Sequence, residues 1–170
     1  RAPPVRPRDL GDRRDAPAVS AATDPGPNGF LARLRQGRAE GAEPYLAPHP
    51  LGAGGSARAA VWALIDAGAA EVRVWNRTHE RARALCAEIG GTPVREAAPA
   101  DLLVNCTSVG LEQPSQTFKE LPVSAEAIGD YGWVVDLVYR DGDTALAAAA
   151  CAAGSTVIDG LEILVRQGAI

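Results

Sequence analysis

Gly52, Gly54 and Ala57, set at fixed intervals in Leu51-Gly52-Ala53-Gly54-Gly55-Ser56-Ala57-Arg58, constrain this chain more than any other feature of it. The spacing G-x-G-x-x-G/A is that of a strand turning sharply into a helix. The first glycine permits the turn, the second lets backbone approach a pyrophosphate, and the small third residue keeps the helix close to the sheet. The free N–H groups and dipole at the start of such a helix form an anion site. A second element, Trp75-Asn76-Arg77-Thr78, sits where a dinucleotide fold ends its second strand and reads the adenosine ribose. A carboxylate there would accept a bond from a free 2′-hydroxyl. Here Asn76 and Arg77 occupy the place, with Arg81 one helical turn further on. Guanidinium in place of carboxylate implies a phosphorylated ribose, so the expected cofactor is NADP rather than NAD.

A chain of 170 residues with 46% hydrophobic content has enough apolar surface for one ordinary domain. A net charge of −4 gives no reason to expect nucleic acid as a partner. Cys86, Cys106 and Cys151 show no metal or redox spacing. Cys86 and Cys106 read as small apolar fillers, and His49 and His79 are not placed to complete a zinc site. No apolar run is long enough to span a membrane and no signal peptide is visible, so a reducing cytoplasm is expected. The sequence starts at Arg1 and not at Met, so the start of the natural protein is expected to lie elsewhere.

The character of the chain changes near residue 50. Nine of the 13 prolines precede that point, and residues 1–28 show neither helical nor strand periodicity, so they read as irregular or disordered. Phe30, Leu31 and Leu34 share one face of a short helix starting at Gly29. The segment 44–51, Pro-Tyr-Leu-Ala-Pro-His-Pro-Leu, falls where the first, central strand belongs. Pro48 and Pro50 each lack a ladder donor, and the expectation is an irregular or strongly shortened strand.

Beyond residue 51 the punctuation is regular. A helix is predicted over Ser56–Ala67 and a strand over Glu71–Trp75. A second helix is predicted to start at a Thr78 cap and to end at Gly90-Gly91. Asp101–Cys106 and Trp133–Val138 read as buried strands, Ala145–Ala153 as an Ala-rich helix, and Ser155–Ile158 as a last strand. This alternation predicts an α/β fold, a doubly wound parallel sheet of Rossmann type. Asn105-Cys106-Thr107-Ser108 ends a strand at the edge that faces the ligand crevice in open α/β sheets. Asp136 lies in an apolar strand, where an unpaired carboxylate is costly, so it must be hydrogen-bonded. Tyr139 follows at that strand's end. His79 and Glu80 read as solvated first-turn residues, and Lys119 falls in a predicted loop.

These blocks, together with Asp136-Leu137-Val138-Tyr139 and Asp159-Gly160-Leu161-Glu162-Ile163-Leu164-Val165-Arg166-Gln167, resemble the cofactor domain of shikimate dehydrogenases. Members of that family reduce 3-dehydroshikimate to shikimate with NADPH, in the route to aromatic amino acids. The resemblance implies that Gly52, Ala53, Gly54, Gly55 and Ser56 hold the pyrophosphate. It assigns Asn76, Arg77, Thr78 and Arg81 to the adenosine phosphate. Leu137 and Gly160 would contact the nicotinamide side, while Tyr139 and Gln167 would reach the substrate. Family members also carry an amino-terminal substrate domain with a catalytic lysine and an acidic partner. Lys119 does not match that lysine by motif. The acidic partner would correspond to Asp24, in a segment where Ala22 replaces the family's asparagine and extra residues intervene.

The resemblance therefore predicts an NADP-binding domain over residues 29–170 that ends inside its C-terminal helix. Residues 1–28 would be an irregular remnant of the interdomain region, and the substrate domain would be missing. An isolated chain of this kind is expected to be inactive. Other readings are a quinate/shikimate dehydrogenase, a non-catalytic NADP-binding module and an inactive gene fragment.

Overall fold

The computed structural model describes residues 47–168, with side chains as far as residue 164. The expectations for residues 1–28, the helix at Gly29, and Asp24 fall outside the described residues. Strands β1 (Pro48–Leu51), β2 (Arg73–Trp75), β3 (Thr92–Val94), β4 (Ala100–Asn105), β5 (Tyr131–Asp136) and β6 (Thr156–Ile158) build one sheet in the order β3-β2-β1-β4-β5-β6. Every pairing is parallel. The strand order reverses between β1 and β4, which places the ligand crevice of such a sheet above their carboxyl ends.

Helices α1 (Gly55–Asp66) and α2 (His79–Ile89) cover one face. Ala57, Val61, Leu64, Ala82, Leu85 and Cys86 pack there against Val72, Val74, Leu102 and Val104. Helix α3 (Ala145–Ala152) covers the other face, where Leu146 and Ala150 join Leu51, Leu103, Ile128 and Val134. Helix α4 (Gly160–Gly168) follows β6. Small side chains at Ala57 and Ala82 are fully buried, which lets both helices lie close to the sheet. Beyond residue 51 each predicted helix and strand is present, with ends shifted by up to two residues.

Strand β1 occupies the central slot, and its prolines are accommodated in one direction only. Its four residues are all buried and pair with Leu102, Leu103, Val104 and Asn105 of β4. Toward β2 the only pair is Leu51 with Trp75. Residues of a parallel strand face alternate neighbours. The Cys106 N–H donates to Leu51 O on the β4 side, whereas the Gly52 N–H donates to Trp75 O on the β2 side. His49 and Leu51 therefore serve β4, and Pro48 and Pro50 both turn their missing donors toward β2. The expected damage is real but one-sided: the strand is short, regular against β4 and stripped against β2. A side chain makes up part of the loss, since His49 Nδ1 donates to Arg73 O at 2.6 Å.

Strand β3 was not legible from periodicity. It is three residues long and carries Pro93, which is tolerated because β3 is the edge of the sheet. Lys119, expected in a loop, lies exposed in a helical turn over Thr117–Glu120.

Candidate functional site

The carboxyl ends of β1, β2, β4, β5 and β6 meet in one crest, and close backbone contacts fix its loops relative to one another. Gly52 has φ +116°, and a Cβ there would lie 3.2 Å from Cys106 O and 3.3 Å from Thr107 Cγ2. The first motif glycine is thus required twice, for its left-handed backbone and for contact between the turns after β1 and β4. Gly54, the N-cap of α1, is extended and no side chain caps the helix. The first turn of α1 carries no acidic residue. Around Gly54 and Gly55 an added Cβ would meet nothing within 4 Å. Unpaired helix donors below open space, with no competing carboxylate, fit a pyrophosphate. Ala53 and Ser56 border the same turn.

Arg58 does not join this anion site. Its guanidinium forms a two-pronged ion pair with Glu88, tying α1 to α2 across the surface. By contrast, Arg77 and Arg81 are exposed after β2, and no acidic partner holds either of them among the described residues. Asn76 Nδ2 donates to Thr78 O at 2.9 Å, so its amide shapes the loop that presents Arg77. Thr78 is the N-cap of α2 by position, but its hydroxyl makes no capping bond. This corrects the expected side-chain cap and leaves that hydroxyl available. His79 departs from the solvated reading: it is half-buried, and its Nδ1 is shielded without a partner among the described residues. Glu80 is exposed, as expected.

On the other side of β1, a hydrogen-bond chain joins the ends of β4 and β5. Asp136 is buried and its carboxylate accepts from Asn105 Nδ2 at 2.9 Å, Val138 N at 3.1 Å and Thr144 Oγ1 at 2.6 Å. Burial raises its pKa above the ordinary carboxylate value, and these accepted bonds oppose the rise. Asn105 Oδ1 in turn accepts from Thr107 N at 3.1 Å and Thr107 Oγ1 at 2.7 Å, and Thr107 Oγ1 accepts from Val109 N. Thr144 caps α3 by accepting from Ala147 N. The buried carboxylate is satisfied, as its position in an apolar strand required. Sequence reading missed Thr107 and Thr144 as its companions. The signal for Thr144 was its place immediately before the Ala-rich helix.

Gly160 is pressed against this assembly. A Cβ there would come within 2.7 Å of Val138 O and 2.8 Å of Leu137 O. Leu137 is half-buried and Tyr139 is exposed at the crest, 57% accessible. Gln167 belongs to α4, while its side chain lies outside the described residues. Cys106 sits beneath the crest, where burial, with the nearby Asp136 charge, pushes its thiol up to about 12. An inert filler is what such a thiol should be. Cys86 is buried in the core as expected, and Cys151 is exposed. Among the described residues no cluster fit to hold a metal ion is present, and no helix is long and apolar enough to cross a membrane.

Residues 50–108, from the middle of β1 through the Asn105 turn, match the family model for shikimate/quinate 5-dehydrogenase. The shikimate dehydrogenase (NADP(+)) of Thermus thermophilus is 46% identical over 144 residues, covering 84% of this chain and 52% of that protein. The chain belongs to this family. A second shikimate dehydrogenase (NADP(+)), from Halobacterium salinarum, is 46% identical over 125 residues, or 70% of this chain and 45% of the relative. Among solved structures, a Thermus thermophilus shikimate 5-dehydrogenase in complex with NADP(H) and shikimate superposes with a TM-score of 0.65 at 44% identity. The match covers 82% of this chain and 51% of that one. The chain thus spans about half the length of the curated family members it matches.

Proposed function

We propose that residues 29–170 are the NADP-binding half of an NADP-dependent shikimate dehydrogenase, acting in the cytoplasm. The observation that carries this reading is the pairing of two exposed guanidinia, without an acidic partner among the described residues, with an open helix start on one crest. Gly52 to Ser56 would hold the pyrophosphate, and Asn76, Arg77, Thr78 and Arg81 the adenosine end with its 2′-phosphate. Leu137 and Gly160 would border the nicotinamide, and Tyr139 and Gln167 would reach toward substrate. Bound NADPH supplies the hydride. The proton would be managed by a lysine–carboxylate pair of the substrate domain, the role for which Asp24 is the candidate carboxylate. The substrate in this reading is 3-dehydroshikimate, with quinate as the near alternative. The NADP(+) in the relatives' names and the shikimate bound in the Thermus thermophilus structure support it.

The test is turnover by the parent protein. NADPH oxidation that depends on 3-dehydroshikimate and exceeds the rate with the quinate-derived ketone supports the assignment. A rate indistinguishable from buffer with both ketones overturns it.

A further inference from the structure

The buried carboxylate of Asp136 touches neither the helix start that fits a pyrophosphate nor the arginines of the ribose loop, yet three loops of the crest are tied to it. Through Asn105 it orders Thr107 and Val109, the turn on which Gly52 rests. Through its own bond from Val138 N it sets the start of the loop leading to Tyr139. Through Thr144 it closes the far end of that loop onto α3. The carbonyls of Leu137 and Val138, held by this arrangement, are the surface against which Gly160 packs. Every loop so fixed follows β4, β5 or β6, on the opposite side of β1 from Asn76–Arg81.

We propose that Asp136, acting through Asn105 and Thr144, is a positioning residue for the nicotinamide end of the cofactor and has no part in holding the adenosine end. This rests on the cofactor reading above. An acceptor of three donors from different segments fixes their relative placement, and a one-ångström error at a reacting centre is expensive. Asn105 carries the hold of the carboxylate to the turn after β4, and Thr144 carries it to the start of α3.

Two probes separate positioning from general damage. NADPH spans the whole crest, whereas adenosine 2′,5′-bisphosphate samples only the ribose-phosphate end. Thr144→Val removes the hydroxyl that meets Asp136, and Thr144→Ser retains it. Thr144→Val is expected to weaken NADPH binding roughly 5–10-fold, about the effect of one buried hydrogen bond, with bisphosphate affinity unchanged. Thr144→Ser should restore NADPH affinity to within about twofold, since it keeps the same bond. Asp136→Asn, provided its circular dichroism spectrum is native, should show the same split more strongly. NADPH affinity unchanged in Thr144→Val, or a parallel loss for both probes, overturns the proposal. If the unsubstituted chain binds neither probe, the cofactor reading itself falls. Binding of the bisphosphate alone refutes only the nicotinamide-end assignment.

Discussion

His49 Nδ1 donates a hydrogen bond of 2.6 Å to Arg73 O, the acceptor that a backbone N–H at position 50 would meet. The register fixes this. Gly52 N donates to Trp75 O, so two residues back along both strands the donor is position 50 and the acceptor is Arg73. Proline at 50 has no hydrogen to give, and the neighbouring imidazole supplies one across the same gap. Because a carbonyl can only accept, Nδ1 carries the hydrogen, and Nε2 is buried without a partner among the described residues.

The exchange predicts a coupling between the two positions. Removing the imidazole by H49L orphans Arg73 O when proline is present, but not in the P50V background, where a backbone donor returns. The destabilisation caused by H49L should therefore be about 1 kcal/mol greater with Pro50 than in P50V. P50V alone should raise stability by less than about 1 kcal/mol, because Arg73 O is already satisfied. Urea unfolding of the four proteins measures the cycle. Additive effects would show that the imidazole bond does not replace the ladder bond.

Burial lowers the His49 pKa below its ordinary 6.5; the bond to Arg73 O opposes this and the Arg73 charge adds to it. The folded chain thus refuses a proton that the unfolded chain accepts. His49 leaves stability unchanged above about pH 6.5, and stability falls as pH drops below that value toward the lower folded pKa. Asp136, raised by burial from 3.8, works in the opposite sense and favours acid. Thermal melts between about pH 6.5 and 5, above most carboxylate titration, should show a loss on acidification that H49L abolishes. The same slope in H49L would assign the loss to other groups.

Gly160 and Gly54 should respond to alanine in opposite ways. In G160A the new methyl meets the Val138 and Leu137 carbonyl oxygens at 2.7 and 2.8 Å, and backbone cannot yield cheaply. A stability loss of about 1–3 kcal/mol is expected. Gly54 has φ −89°, ordinary for alanine, and open space around it. G54A should leave the melting temperature within about two degrees of the parent's, an effect below ~0.5 kcal/mol, while filling space over the helix start and weakening NADPH. Calorimetry with parallel fluorescence titration decides; equal melting temperatures for the two variants would contradict this description of the crest.

Most of the fold was legible because the helices carry clear stripes, such as Val61 with Leu64 and Ala82 with Leu85, and strands β4 and β5 are apolar runs. The glycine motif located the crest, and the cost of burying Asp136 announced its network. Strand β3 was hidden because three residues with a central proline carry no period. The role of His49 was hidden for a different reason: it depends on which neighbour Pro50 faces, and that direction comes from the register with β2. Thr107 and Thr144 escaped because a hydroxyl's partner is set by loop geometry, on which sequence spacing is silent.

If the crest recognises a 2′-phosphorylated dinucleotide through Arg77 and Arg81, fluorescence titration of the 170-residue chain with NADPH and with NADH will separate the two cofactors. Charge-assisted bonds to a phosphate that NADH lacks are worth about 1.5–3 kcal/mol each before solvent screening, and both guanidinia are exposed. NADPH should saturate at least about tenfold more tightly than NADH at moderate salt, and R77D should erase or invert that preference. Equal affinities for the two cofactors, or a preference that survives R77D unchanged, would rule out phosphate recognition by these arginines.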